Sequence, residues 1–243
     1  MCTRIFQSKI RVLRQKDKKK RFLQRNLFLL MEFFALLAII IPNMAKLLYQ
    51  GHASLRITSD AGKVLYVDPY AGEGYEPTAD LVLVTHEHYD HNATHIVPMS
   101  QRTIVVHSKD AFSDGIYRDF DYFGFEVHAV PAGNKNHDPS ECVGYLIKVD
   151  GVLIYVAGDT DYMPFMNRLS RRGIDYAFLP IDGIYNMGPE EASRVAGIIQ
   201  PKHLIPYHMK PGSLFDIRQD MRVSYERAML VKPGDEIRLE HEE

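Results

Sequence analysis

Between Ala79 and His95 the chain reads ADLVLVTHEHYDHNATH. An apolar run ends in three histidines, a glutamate and an aspartate within six residues, His86-Glu87-His88-Tyr89-Asp90-His91. In an extended segment His86, His88 and Asp90 share one face. A tight loop also turns His91 inward. Imidazole nitrogens and carboxylate oxygens together suit zinc, iron or manganese. A lone H-x-H is a weak signal, because surface histidines are common. H-x-H-x-D-H directly after a buried strand is a strong one, and it predicts metal-dependent chemistry.

Three further donors sit at predicted strand ends. His137 lies in GNKNHDP after FEVHAVP, Asp159 in VAGDTD after VLIYVA, and His208 in IPYHMKP after KHLIP. Each follows an apolar run and precedes turn residues, where a sheet presents polar groups without burying them unpaired.

The elements that must hold these groups are short and strand-rich. KLLYQ, SLRIT and KVLYVD are broken by Gly51 and by the turn SDAGK. DLVLVT is a continuous apolar run of the buried-strand kind. TIVVH, FEVHAV, CVGYLIKVD, VLIYVAGD, DYAFLPI and KHLIPYH follow, with a hairpin expected at Asp150-Gly151. PEEASRVAGIIQ starts with proline, carries acids in its first turn and spaces apolar residues as a helix does. Residues 110–125, with Phe112, Tyr117 and Tyr122, read either as a helical lid over the site or as ordinary core. Many strands with few helices between them predict two sheets packed face to face, with helices outside.

Composition agrees. The chain has 243 residues, 46% apolar and 25% charged, enough for one large domain with an extension. Its two cysteines, Cys2 and Cys142, form no C-x-x-C, which argues against a disulfide framework or thiolate zinc site and for a reducing compartment. Ten of the 29 basic residues lie within residues 1–25 against one acid, which leaves about −11 of the net −2 for the remainder. An acidic body is not a general nucleic-acid binder. Residues 1–44 read as a basic and apolar extension, and 45–243 as the catalytic domain. The apolar stretch at 27–41 is short for a bilayer span and holds Glu32. It reads as a tail or mis-assigned start first, a membrane anchor second and a cleaved signal third. The expected location is the cytoplasm, with membrane association only through residues 27–41.

The ordered set THEHYDH, NKNH, AGDTD and PYH resembles the metallo-β-lactamase superfamily. YQGHASLRI followed by LYVDPY resembles its branch of ascorbate-phosphate lactonase-like and uncharacterised metal-dependent hydrolases. N-acyl phosphatidylethanolamine phospholipase D is more distantly similar. The resemblance covers about residues 45–210. It implies an α+β, four-layer αββα sandwich with two divalent metal ions, zinc first and manganese or iron as alternatives. It implies that His86, His88 and His137 bind one ion, that Asp90, His91 and His208 bind the other, and that Asp159 bridges both. A metal-bridging hydroxide would cleave an ester, lactone or phosphodiester bond of a small substrate, with an anionic one among the options, and Asp90 would also take up or relay the proton. Aspartate at 159, with no cysteine near any ligand, disfavours β-lactam hydrolysis. Alternative readings are a phospholipase D-like or nuclease-type phosphodiesterase, and a non-catalytic metal-binding protein. A homo-oligomer is compatible with this branch.

Supporting residues carry two readings each. His52 matches a motif position and either touches ligands or substrate or caps a strand. Asp68 either accepts a ligand histidine's second N–H or makes an Asp-Pro turn. Asp182, Tyr185 and Asn186 edge the pocket or form a turn. His95, His107, His128, His203 and His241 read as structural or solvated groups. Lys135 and Lys210 flank ligands and could attract an anion, with plain solvation as the default.

Overall fold

The structure, a computed structural model, describes residues 44–241 together with Asn26. The expectations for the extension at 1–44, including the stretch at 27–41, therefore fall almost entirely outside the described residues. Among the described residues no helix is long and apolar enough to cross a membrane. From Met44 onward the chain forms one compact unit.

In chain order the strands begin with β1 (Lys46–Gly51), β2 (Ser54–Thr58), β3 (Val64–Val67), β4 (Ala79–Leu83) and β5 (Met99–Val106). One helical turn, α1 (Ser108–Ala111), leads to β6 (Phe112–Ser113), β7 (Ile116–Tyr117), β8 (Asp119–Tyr122), β9 (Phe125–Pro131), β10 (Val143–Val149) and β11 (Val152–Val156). A 3-10 helix (Pro164–Arg171) precedes β12 (Tyr176–Pro180), α2 (Pro189–Ile199), β13 (His203–Tyr207), α3 (Ile217–Asp220) and β14 (Glu236–Arg238). One six-stranded sheet runs β14-β1-β2-β3-β4-β5 and the other β13-β12-β11-β10-β9-β8. Each sheet is mixed: β3, β4 and β5 run parallel, as do β11, β12 and β13.

Period-two alternation builds the sandwich. Leu65, Val67, Leu81 and Leu83 point inward to meet Ile154, Val156, Phe178 and Ile205 of the other sheet. The intervening residues face outward and are buried too. On the second sheet Tyr155, Ala177 and Leu179 are covered by α2, through Ala192, Val195, Ala196 and Ile199, and by the 3-10 helix, through Met166 and Leu169. On the first sheet Val64, Tyr66, Val82 and Val84 are covered by Tyr75, Ile96 and Val97, from a loop and a single 3-10 turn. The α+β sandwich is as expected, with a helical layer on one face and a thin irregular layer on the other among the described residues.

One expectation is corrected. Residues 110–125 do not form a helical lid. After α1 they make the hairpin β6–β7 and the edge strand β8, which pairs with β9. Asp114-Gly115 and Phe123-Gly124 both take positive φ, at 55° and 74° and at 56° and 86°. Successive left-handed residues are the mark of tight hairpin turns. Phe120 and Tyr122 face the core while Asp119 and Asp121 are exposed, a strand's period and not a helix's. Phe112 and Tyr117 stack at 4.4 Å.

The catalytic edge depends on one close approach. Gly158 leaves β11 with φ 67°, and a Cβ there would meet the Val143 carbonyl oxygen at 2.8 Å and Thr85 Cβ at 3.2 Å. Only glycine takes this path without strain. Gly158→Ala is expected to destabilise the protein by roughly 1–3 kcal/mol, read by urea denaturation. A change below about 0.5 kcal/mol, which is ordinary for a neutral surface site, would contradict this account of the turn.

Candidate metal centre

The strand ends converge. Asp68 follows β3, His86 to His91 follow β4, His137 follows β9, Asp159 follows β11, Asp182 follows β12 and His208 follows β13. His52 sits in the turn between β1 and β2. His52, Asp68 and His208 all have left-handed backbones, with φ of 54°, 45° and 45°. Such conformations cost free energy in non-glycine residues and cluster at functional sites.

Three groups of donor atoms lie within 4.8 Å of one another: His86, His88 and His137; His52, Asp90, His91 and His208; and His86, His91 and Asp159. The first is one of the predicted ligand sets. The second is the other predicted set with His52 added. Asp159 lies among both, with Oδ2 3.1 Å from His137 Nε2 and 3.3 Å from His208 Nε2, and Oδ1 3.3 Å from His91 Nε2. Within the H-E-H-Y-D-H run, Glu87 turns away to His107 Nδ1 at 2.8 Å and Tyr89 lies 76% exposed at the mouth.

A hydrogen-bonded layer fixes these rings. Asp68 is fully buried. It accepts from Thr85 N at 2.7 Å, Thr85 Oγ1 at 2.7 Å and His91 Nδ1 at 2.8 Å. Thr85 Oγ1 lies 3.1 Å from His86 Nδ1, so Asp68 steadies two histidines. Asp182 Oδ1 accepts from the backbone N–H of Ile184 and Tyr185 at 2.7 and 2.6 Å. Its Oδ2 accepts from Asn186 Nδ2 at 2.9 Å and lies 3.5 Å from His208 Nδ1. Asn186 Oδ1 in turn accepts from Asn134 Nδ2, whose Oδ1 lies 3.1 Å from His137 Nδ1. The side chains of Asp182 and Asn186 thus brace ligand candidates, while Tyr185 contributes its main chain here. Thr85 and Asn134 were not anticipated. Their only signal is adjacency: Thr85 precedes His86 and Asn134 precedes His137 by three residues.

The remaining histidines are elsewhere. His107 and His128 pair with Glu87 and Asp119, His203 stacks on Tyr176 and His241 pairs with Asp175. His95 is exposed, as are Lys135 and Lys210, which do not line the cleft.

The donor set fits metal ions. His86 Nε2, His91 Nε2, His208 Nε2 and Asp159 Oδ1 are buried without hydrogen-bond partners. Buried polar atoms are normally satisfied, and four unsatisfied ones aimed at one spot match cation ligation. The electrostatics agree. Burial, then the neighbouring His91, pushes His86 down to about 2. For His91 burial works against the cation, but Asp159 and Asp68 outweigh it and raise it to about 9. His208 is raised by Asp159 against the same burial. Burial favours neutral Asp159, yet His208 and His91 hold its carboxyl well below the usual range. Burial lowers His52. Asp90 also lies below the usual range, because a bond from His52 at 3.1 Å and the charge of His91 outweigh burial.

Above the donors opens a cavity of about 630 Å³, bordered by His52, His88, Asp90, Asp159 and His208 and walled by tyrosines. A second cavity of about 460 Å³, lined in part by Lys109, Phe112 and Cys142, shares His88 and His137 with it.

Comparison with known proteins agrees with this geometry. The sequence profile of the beta-lactamase superfamily domain matches residues 46–208. A UPF0173 metal-dependent hydrolase of Thermococcus kodakarensis is 32% identical over 227 residues, spanning 81% of this chain and all of its own. Another, from Ligilactobacillus salivarius, is 32% identical over 199 residues, spanning 72% of this chain and 89% of its own. Among solved structures, a metal-dependent hydrolase of Parabacteroides distasonis is 26% identical with TM-score 0.63, covering 78% of this chain and 93% of that one. Igni18, a metallo hydrolase of Ignicoccus hospitalis, is 21% identical with TM-score 0.64, covering 82% and 100%. Fold and site together define a metal-dependent hydrolase. The chain belongs to the beta-lactamase superfamily, within the UPF0173 group of metal-dependent hydrolases.

Two outcomes follow from the supporting layer and the charges. Asp68→Asn keeps the shape but removes the acceptor shared by Thr85 and His91, so metal affinity should fall about 10–100-fold in chelator competition; unchanged affinity would contradict the bracing role. In the metal-free protein the raised folded value of His91 means that its protonated form adds stability below about pH 6.5. That stability is lost as pH rises through about 9. Metal must displace this proton, so affinity should rise across that window with proton release. Calorimetry in buffers of different ionisation enthalpy reads this directly, and affinity independent of pH without proton release would refute it.

Proposed function

We propose that this site holds two divalent metal ions, zinc first with manganese or iron as alternatives, and hydrolyses an ester, lactone or phosphodiester bond of a small molecule. The observation that carries the reading is the set of four unpartnered buried donor atoms around Asp159. His86, His88 and His137 would hold one ion, and Asp90, His91 and His208 the other, with Asp159 between them. Bound there, the ions would supply Lewis acidity and a nucleophile usable at neutral pH. The chain's own residues do the remainder. Asp90, bonded to His52, is placed to accept and pass a proton at Oδ2. The His52 ring lies 3.9 Å from that of His208, tilted by 43°, and its bond orients that carboxylate. The tyrosine walls exclude water from one side of the substrate.

A nuclease is the weaker reading, because among the described residues no lysine or arginine lines the cleft and the body is acidic. A cytoplasmic setting fits the free, buried thiol of Cys142.

Mass spectrometry of the purified chain should find two equivalents of metal. Asp90→Asn should lose at least about 100-fold in turnover of whichever ester, lactone or diester proves active. Near-normal turnover in Asp90→Asn would remove its proton role. Less than half an equivalent of metal after reconstitution would leave a non-catalytic binding protein as the better reading.

A further inference from the structure

We infer that the cleft selects a neutral substrate with a flat aromatic group next to the bond to be cut, and that an anionic group on the substrate weakens binding. This rests on the hydrolase reading above and names the substrate class for the same site.

The lining carries the argument. The cavity of about 630 Å³ is walled by Tyr70, Tyr89, Tyr185, Pro211 and Leu214, and among the described residues no lysine or arginine lines it. Its only ionised carboxylates, Asp90 and Asp159, face the ligand cluster. Within this cavity a phosphate or carboxylate held away from the metals would meet no cation of the described residues and would lose hydration without compensation, since Lys109 lines the adjoining cavity instead. Lys135 and Lys210, the cations nearest in sequence to the ligands, stay outside the wall.

The aromatic surface is continuous. The His208 and His52 rings lie 3.9 Å apart, tilted by 43°, His52 and Tyr70 lie 5.3 Å apart, and Tyr70 meets Tyr89 edge to face at 5.8 Å and 82°. A path of rings thus leads from the buried ligands to the mouth. On another part of the wall Tyr185 is clamped by its main chain. Its N–H donates to Asp182 Oδ1 at 2.6 Å, and its carbonyl accepts from Asn134 and Asn136 at 2.9 Å each. Its side chain is still 51% exposed. An exposed aromatic side chain on a fixed backbone loses little freedom when it binds, and ring pairs at these separations favour edge-to-face or offset contacts.

The test uses hydroxamates, which chelate metal whatever the enzyme's natural substrate. Metal-loaded full-length protein is titrated calorimetrically with acetohydroxamate, benzohydroxamate and benzohydroxamate bearing a 4-phosphate. Benzohydroxamate should bind at least about tenfold tighter than acetohydroxamate, and the phosphate should weaken it severalfold. Tyr89→Ala combined with Tyr185→Ala should shrink the aryl preference to under about threefold while metal stoichiometry stays unchanged, because the bracing contacts of Tyr185 are main-chain. An aryl preference near one, a preference untouched by the double substitution, absence of binding to loaded protein, or tighter binding of the phosphorylated probe overturns the inference. Failure of the hydrolase reading looks different: benzohydroxamate binds with the predicted preference, yet neutral aryl esters and lactones are not turned over.

Discussion

Asp159 is buried at the end of β11 with three imidazole nitrogens 3.1–3.3 Å from its oxygens. An ionised carboxylate taken out of water costs several kcal/mol unless positive charge accompanies it. In the absence of metal, a proton on His91, raised to about 9, supplies that charge, and Asp159 shifts His208 in the same direction. Metal ions supply it without leaving the Nε2 atoms and Asp159 Oδ1 unsatisfied. Burial, with the neighbouring His91 and against the pull of Asp159, keeps His86 neutral and ready to ligate.

Everything else holds this charge arrangement in place. The parallel triplets β3-β4-β5 and β11-β12-β13 end at one edge, so side chains distant in sequence meet without long loops. Asp68 ties β3 to the loop after β4 through Thr85 and His91. Asp182 ties the end of β12 to both His208 and, through Asn186 and Asn134, His137. These buried carboxylates are more than local turns, because their acceptors reach ring nitrogens of two separate ligand groups. The left-handed backbones at His52, Asp68 and His208 are the cost of bringing three strand ends to one point.

Much of this was legible in the sequence, for definable reasons. H-x-H-x-D-H follows a strand whose apolar run is unbroken, and His137, Asp159 and His208 each end a similar run, so donor chemistry and position coincide in one dimension. The long strands and α2 were legible through the same periodicity. Of the bracing layer, Asp68 was legible as an acceptor for a ligand histidine, but Thr85 and Asn134 were not. Thr85 and Asp68 are 17 residues apart and meet only because β3 and β4 pair in parallel, and the Asn134–Asn186 bond spans 52 residues. For residues 110–125 the core reading holds and the helical lid does not, and Asp114-Gly115 is the two-residue turn signal that decides for strands. The charge of the cleft was also hidden: Lys135 and Lys210 are adjacent to ligands in sequence but lie outside the lining in space.

The most direct measurement of the central claim is anomalous diffraction from crystals of the metal-loaded protein, recorded at the absorption edge of the bound metal. The account predicts two peaks about 3.5–4 Å apart, with Asp159 between them, one contacting His86, His88 and His137 and the other Asp90, His91 and His208. A single peak, or peaks that leave Asp159 without a metal contact, would contradict it.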